Sequence, residues 1–346
     1  MISGDDSMIF HHHDTVEYDL IVTDGLWGVG KSALLPIINA LSGVQMVRYD
    51  YQFENICLLQ NMHYLSPDAR LSAVKLHLDN LYYSNLIGRH INLRWRDDSG
   101  FRNNPRKVET ILRMFKGEGD MKLEKGAQEG QSLHLMSHNL ISSMEFLTRI
   151  YKKKLFVIEL VRHPVYLYGH WLAYFSRFDS PRELTLSFKI DDIKVPWFAK
   201  DWAENYGDLS NEERSLLGIA RSYTELFRIL DETEADGLKP LVISFEDLCV
   251  NTHHVVDQIC SFLNRKPDLD LAKILERNKF PRSKIGDGLG KKIYGYKNTK
   301  QITDAEFVTQ TLKDIKSACP PWIFDEFSTV VEQYVSRFPN SAFSLS

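Results

Sequence analysis

Residues 18–43 constrain the fold of this chain more than any other stretch. A short apolar run, Leu20-Ile21-Val22, precedes a glycine-rich turn, and apolar residues at helical spacing follow it. The turn, residues 25–32, reads GLWGVGKS and matches the pattern GxxxxGK[ST] at every required position. A strand, a turn of this kind and a helix in direct succession predict a phosphate-binding loop in an α/β fold.

Residues 25–32, called the phosphate loop below, have the composition that an anion site needs. Successive backbone N–H groups of such a turn point into one concavity, and the positive end of the following helix dipole lies behind them. Lys31 adds a mobile cation and Ser32 adds a hydroxyl donor. The residues predicted to contact a nucleotide phosphate are Gly25, Trp27, Gly28, Val29, Gly30, Lys31 and Ser32.

Four further apolar or alternating runs predict strands at residues 44–49, 132–138, 155–161 and 240–245. Helical periodicity separates them, notably at residues 67–87, 139–151 and 246–263. This alternation predicts an α/β fold with a doubly wound, mainly parallel sheet and helices on both faces. Ligands bind at the carboxyl ends of parallel strands, so we expect His138 and Arg162 to share a crevice with the phosphate loop.

The chain is predicted to form one domain, residues 18–346, after a flexible segment at residues 1–17. Insertions are expected at about residues 60–130 and 171–216. The second insertion is rich in aromatic residues, which predicts either a helical lid over an acceptor or a packed aromatic subdomain. In the first, residues 94–107 hold four arginines that suit a polar or sugar-like acceptor, although a solvated loop explains them equally well.

Charge and cysteine content limit the classes of partner. The 346 residues carry a formal net charge of -4, which argues against a nonspecific nucleic-acid binder. The four cysteines lie far apart and form no CxxC pair, so neither a zinc site nor a disulfide framework is indicated. The amino terminus has no continuous apolar stretch. We expect a soluble cytoplasmic protein that acts on a small-molecule or carbohydrate acceptor, without a nucleic-acid or membrane partner.

Three stretches follow the phosphate loop in the chain: VIELVRHPVYLYGHW at residues 157–171, ARSYTELFRIL with the later FEDL at residues 220–264, and KKIYGYKN at residues 291–298. Together with the loop they resemble PAPS-dependent sulfotransferases, which use 3′-phosphoadenosine 5′-phosphosulfate (PAPS) as sulfuryl donor. Residues 157–171, VIELVRHPVYLYGHW, look like the strand, arginine and helix that hold the donor's 3′-phosphate. Residues 220–230, ARSYTELFRIL, and 240–264, which contain FEDL, look like the family's helix, "YEDL" turn and "FL" helix. Residues 291–298, KKIYGYKN, look like a degraded form of its late basic loop.

The resemblance implies roles for individual residues. Arg162 would bind the 3′-phosphate. His170 would occupy the position at the same site that is usually a serine in the family. Lys291 or Lys292 would add charge from the late loop. His138 matches the histidine of the family's "KTH" strand end, where the histidine is the general base. The donor would be PAPS, with the phosphate loop on its 5′-phosphate and no metal required.

Two positions differ from the family pattern. The family's "PKSGTT" loop has an earlier lysine, where this chain has Gly28, and the cation stands instead at Lys31. The lysine of "KTH" is replaced by Met136. Lys31 would then stabilise the leaving phosphate together with the loop N–H groups.

Other readings of the same residues remain open. His134 lies on the same strand as His138 and is an alternative base. In an ATP-dependent small-molecule kinase, Lys31 would reach the β and γ phosphates and Ser32 would bind magnesium, with Asp24 or Glu159 as a further ligand. A third alternative is a catalytically inactive nucleotide-binding relative. Glu246 and Asp247 are predicted to be structural and to cap the helix that follows them.

Overall fold

The computed structural model describes residues 11, 17–89, 91–94, 100–115, 121–181, 183–236, 239–282, 285 and 303–339. Lys291 and Lys292 lie outside the described residues, as does most of the segment 1–17. Among the described helices, none combines the length and the apolar character that crossing a bilayer requires.

A five-stranded parallel sheet forms the centre of the fold. Its strands are β1 (Asp19–Asp24), β2 (Arg48–Tyr49), β3 (Ser132–Met136), β4 (Leu155–Val161) and β7 (Leu241–Ser244). They lie in the order β2-β3-β1-β4-β7. β2, β3, β4 and β7 lie within the predicted runs, and β1 extends the predicted run at residues 20–22 at both ends. β2 is shorter than predicted, since Val44 makes only an isolated bridge to Ser132. A separate antiparallel hairpin consists of β5 (Ser187–Ile190) and β6 (Ile193–Pro196).

Thirteen α-helices lie within the described residues. They are α1 (Lys31–Ile38), α2 (Tyr51–Asn61), α3 (Pro67–Leu86), α4 (Lys107–Met114), α5 (Met121–Gln128), α6 (Leu147–Tyr151), α7 (Tyr168–Phe175), α8 (Asn211–Asp236), α9 (Phe245–Val250), α10 (Thr252–Leu263), α11 (Leu271–Arg277), α12 (Asp304–Ala318) and α13 (Pro321–Arg337). The 3₁₀ segments are Phe101–Asn103, Ile141–Ser143, Lys152–Lys154, Pro164–Tyr166 and Trp197–Asp208.

The sheet has a hydrophobic core on each face. In β1, Ile21 belongs to the larger core, to which α1, α7, α8, α10 and α13 contribute. Leu20 and Val22 point the other way, into a smaller core that α2, α3 and α6 complete. Both faces of a parallel sheet need such cover, which explains the nearly continuous apolar runs of its strands. The predicted doubly wound fold is confirmed.

The predicted helix over residues 139–151 is wrong in its first half. Leu140 N–H donates to the Asp24 carboxylate over 2.7 Å, and Asn139 N–H donates to the Gly25 carbonyl over 3.3 Å. Asn139 also has a positive φ of 53°. These bonds hold the chain at the end of β1, so only a short 3₁₀ turn forms before α6 (Leu147–Tyr151).

The two insertions differ in how they meet the rest of the molecule. In residues 171–216, large aromatic side chains such as Phe175, Phe178 and Trp202 are buried in the larger core. In the first insertion, Arg106 donates to the Leu41 carbonyl over 2.9 Å and pairs with Asp268. Leu41 follows the carboxyl end of α1, so Arg106 is anchored far from the phosphate loop at the other end of that helix.

Candidate active site

The phosphate loop connects β1 to α1 at the carboxyl end of the sheet. Gly25, Gly28 and Gly30 have φ values of 138°, 92° and 103°, a region that side chains disfavour. A Cβ atom on Gly25 would collide with the Leu160 carbonyl, and one on Gly30 would collide with the Phe245 ring. The turn therefore needs glycine at these positions for both backbone geometry and space.

The amino end of α1 is open toward this turn. Its N-cap residue is Gly30 in a left-handed conformation, and no side chain caps this helix end among the described residues. Uncapped N–H groups and the positive end of the helix dipole favour an anion. The backbone thus has the form that the motif predicts.

Lys31 folds back over the loop. Its side chain is only 5% exposed, and its Nζ donates to the Gly25 carbonyl and, over 3.1 Å, to the Leu26 carbonyl. Burial lowers the pKa of Lys31 to about 8, while the carboxyl groups of Asp24 and Glu159 act to raise it. The ammonium is held at the loop by main-chain oxygens.

Asp24 and Glu159 lie opposite each other on β1 and β4, beneath the loop. Both oxygens of Asp24 accept hydrogen bonds, one from Ser137 Oγ over 2.9 Å and one from Leu140 N–H. Glu159 is 1% exposed, and burial raises the pKa of both carboxyl groups. Asp24 therefore holds the segment after β3 in place, and both acids lie in the protein interior.

His138 follows β3 and lies against the phosphate loop. Its ring stacks on Trp27 with centroids 5.4 Å apart and meets Tyr49 edge-on at 4.9 Å. Its Nδ1 lies 3.1 Å from Glu54 Oε1. Burial, aided by the charge of Lys31, holds the pKa of His138 well below its usual range. The imidazole is therefore neutral at neutral pH and able to accept a proton.

His134, the alternative base, is enclosed in the core. Its Nε2 lies 2.9 Å from Thr23 Oγ1 and its Nδ1 lies 3.0 Å from Asn39 Oδ1. Burial lowers its pKa to about 3. Both ring nitrogens have partners within the protein, so of the two histidines His138 is the one placed to meet a ligand.

Arg162 follows β4 on the other side of the loop, as expected for a shared crevice. Its Nη1 donates to the Gly28 carbonyl over 3.3 Å, and its guanidinium lies 4.5 Å from the centre of the Phe245 ring. Its main chain is held by Tyr223, whose hydroxyl accepts from Arg162 N–H over 3.0 Å and donates to the Arg162 carbonyl. The cation is thus fixed at the edge of the phosphate loop.

His170 lies on α7 next to Gly28. A Cβ atom on Gly28 would approach the His170 ring to 3.1 Å. Burial lowers the pKa of His170 to about 4, and the neighbouring His138 and Lys31 act in the same direction. The structure therefore brings this residue to the loop together with His138 and Arg162, while its contact with a ligand stays a prediction.

The predicted capping role of Glu246 is wrong. Ser244 is the N-cap residue of α9, and its hydroxyl accepts from Asp247 N–H over 3.0 Å. Glu246 is fully buried and accepts from His163 N–H over 3.0 Å and from the Tyr334 hydroxyl over 2.6 Å. It supports the turn after β4, next to Arg162, and burial raises its pKa.

The sequence reasoning missed Glu54 and Tyr49 as parts of this site. Tyr49 ends β2, and Glu54 lies in the first turn of α2, directly after that strand. The rule that selected His138 and Arg162, a polar side chain just past the carboxyl end of a strand, applies here as well. An isolated acid after a strand gives no other signal in the sequence.

No protein-family model matches the chain, and no curated protein sequence matches it. Solved structures that are similar to it include the sulfotransferase domain of the olefin synthase of Synechococcus PCC 7002, with 14% identity and a TM-score of 0.41 over 94% of this chain and 98% of that one. A sulfotransferase domain from the curacin biosynthetic pathway has 13% identity and a TM-score of 0.39, over 92% and 98% of the two chains.

A third structure is mouse sulfotransferase SULT7A1 complexed with PAP, with 14% identity and a TM-score of 0.33 over 92% of this chain and 91% of that one. All three similar structures are sulfotransferases.

Proposed function

We propose that this protein is a sulfotransferase that moves a sulfuryl group from PAPS to a hydroxyl or amine of an acceptor. The observation that supports this most directly is the meeting of three groups at the carboxyl ends of adjacent strands. The phosphate loop follows β1, His138 follows β3 and Arg162 follows β4. A phosphate cradle, a neutral base and a second cation are what this transfer requires.

The residues present fit a donor with phosphates at two positions. The glycine turn and the open end of α1 suit the 5′-phosphate, with Lys31 able to exchange carbonyl oxygens for phosphate oxygens. Arg162 supplies a second cation at Gly28 and would bind the 3′-phosphate. His170, beside the same glycine, would add a donor there.

His138 would serve as the general base. Its neutral ring would accept the acceptor's proton as the acceptor oxygen or nitrogen forms a bond to sulfur. The bond between sulfur and the bridging oxygen breaks, and its electron pair goes to the 5′-phosphate. Lys31 would stabilise that charge, so the products are the sulfated acceptor, adenosine 3′,5′-bisphosphate and one proton on His138.

The test is calorimetric binding of adenosine 3′,5′-bisphosphate without metal, set beside ATP with and without magnesium. We expect metal-independent binding of the bisphosphate and weaker binding of ATP, because only the bisphosphate carries a 3′-phosphate for Arg162 to bind. Magnesium-dependent ATP binding without a bisphosphate signal would favour the kinase instead. Bisphosphate binding without sulfuryl transfer to any acceptor would identify an inactive relative.

A further inference from the structure

The side chain of Glu54 reaches His138 because β2, which precedes Glu54 in the chain, lies next to β3, which precedes His138. Tyr49 of β2 pairs with Met136 of β3, so the residues just past each strand lie side by side. Glu54 Oε1 is 3.1 Å from His138 Nδ1, and the two side chains are only 10% and 14% exposed. A carboxyl group and an imidazole in this contact are shielded from competing water.

The His138 ring is also restrained from its other sides. Trp27 stacks on it with an angle of 10° between the ring planes, and Tyr49 packs against it edge-on. The Tyr49 hydroxyl lies 3.5 Å from the second oxygen of Glu54. Glu54 therefore lies close to both Tyr49 of β2 and the ring of His138. Trp27, a residue of the phosphate loop, stacks on that same ring.

A carboxyl oxygen that accepts from Nδ1–H fixes the tautomer of a histidine. The second ring nitrogen, Nε2, then keeps its lone pair and can accept a proton. When Nε2 gains that proton, the resulting imidazolium is next to the carboxyl group that holds Nδ1–H, which stabilises the charged ring.

We propose that Glu54 is a positioning residue that holds His138 with its proton on Nδ1 and leaves Nε2 as the base. The tautomer is what we infer from this contact, whereas its use in sulfuryl transfer rests on the proposed function. Glu54 acts through His138 and needs no contact with the acceptor.

The chain offers a matched control in a second contact between a histidine and a carboxyl group. His77 Nε2 lies 2.7 Å from Asp50 Oδ1, four residues before Glu54 in the chain. The His77→Gln variant alters a histidine–carboxyl pair at the same end of α2 and leaves the contact between Glu54 and His138 in place.

The primary test reads the tautomer directly by ¹⁵N NMR of the histidine rings in the whole protein, with His138→Gln to assign the resonances. We expect protonated Nδ1 in the wild type and in Glu54→Gln, whose amide oxygen still accepts from Nδ1–H. Glu54→Ala should shift the ring toward protonated Nε2. Protonated Nε2 in the wild type, or identical spectra for the wild type and Glu54→Ala, would overturn the proposal.

Turnover gives the second readout, with ³⁵S-labelled PAPS as donor and 2-naphthol and glucosamine as acceptor probes. At pH 7 we expect Glu54→Ala to lower kcat by roughly tenfold or more, with unchanged calorimetric affinity for the bisphosphate, and His77→Gln to change neither quantity. Equal kcat in the wild type and Glu54→Ala would overturn the proposal. A wild type that binds no bisphosphate and transfers no sulfuryl group would instead refute the proposed function, and the tautomer measurement would still decide the role of Glu54.

Discussion

Cations at the two ends of the parallel sheet have different kinds of partner. At the amino end, Arg265 pairs with Asp19 at 2.7 Å and also donates to the carbonyls of Ser42 and Gly130. At the carboxyl end, Lys31 and Arg162 donate to main-chain carbonyls of the phosphate loop. The first arrangement includes a direct ion pair, while the second places cations in hydrogen-bond contact with a turn whose N–H groups also suit an anion.

This difference separates bonds that hold the fold from bonds that a ligand can replace. A carbonyl is a weaker partner for a cation than a carboxylate or a phosphate, so a cation that exchanges a loop carbonyl for a phosphate oxygen gains a stronger hydrogen bond. Arg265 would lose a charged partner if it moved. Substitutions at the carboxyl end should therefore change binding and turnover, and those at the amino end should change stability.

The largest effect is expected for His138→Ala, which removes the base at the carboxyl end. We expect kcat for sulfuryl transfer to fall by roughly 10²- to 10⁴-fold, the usual contribution of general base catalysis. The calorimetric affinity for adenosine 3′,5′-bisphosphate should stay nearly unchanged because phosphate binding uses other residues. Full activity in this variant would show that the base is a different group.

Arg162→Ala tests whether the Arg162 guanidinium binds a 3′-phosphate. The loss of a charge-assisted hydrogen bond should weaken adenosine 3′,5′-bisphosphate binding by roughly 10- to 100-fold. Adenosine 5′-phosphosulfate has no 3′-phosphate, so its affinity should change by less than about threefold. Equal losses for the two ligands, measured by calorimetry, would place Arg162 on the 5′ side or give it a structural role.

Arg265→Ala is the matching substitution at the amino end. Removing a half-buried ion pair with two further carbonyl partners should lower the free energy of unfolding by about 1 to 3 kcal/mol, measured by urea denaturation. Bisphosphate affinity at a temperature where the variant is folded should match the wild type. A stable variant with weakened binding would contradict the division between the two ends.

The smallest expected effect is the change in bisphosphate affinity with pH. Burial lowers the pKa of Lys31 to about 8, so the lysine is charged below that pH and loses its charge above it. Burial raises the pKa of Glu54 to about 8, so this group becomes negative over the same range and also disfavours an anion.

Bisphosphate affinity should therefore fall between pH 7 and pH 9, by at most about tenfold for the lysine alone. The second pKa of a phosphate monoester is about 6, so the phosphates are about 90% or more doubly ionised in this range and their own titration contributes little. Calorimetry of Lys31→Ala should show weaker binding with a smaller dependence on pH. An identical dependence in the variant and the wild type would exclude Lys31 as its source.

Local patterns in the sequence determined the strands of the sheet and the position of the phosphate loop. The apolar runs predicted all five strands of the sheet, and the GxxxxGKS pattern located the phosphate loop. Since ligands bind at the carboxyl ends of parallel strands, the sequence also predicted that His138 and Arg162 share a crevice with that loop. The strand and loop predictions depend on periodicity or spacing within one short segment, and the crevice prediction depends on the general rule for parallel sheets.

Only the tertiary structure decided which side chains pair across segments. Glu54 and His138 are 84 positions apart and meet because β2 lies next to β3. Bonds to Asp24 and Gly25 break the helix expected at residues 139–151, and a distant Tyr334 binds Glu246. Strand order and side-chain packing set these contacts, and neither quantity leaves a periodic signal in the chain.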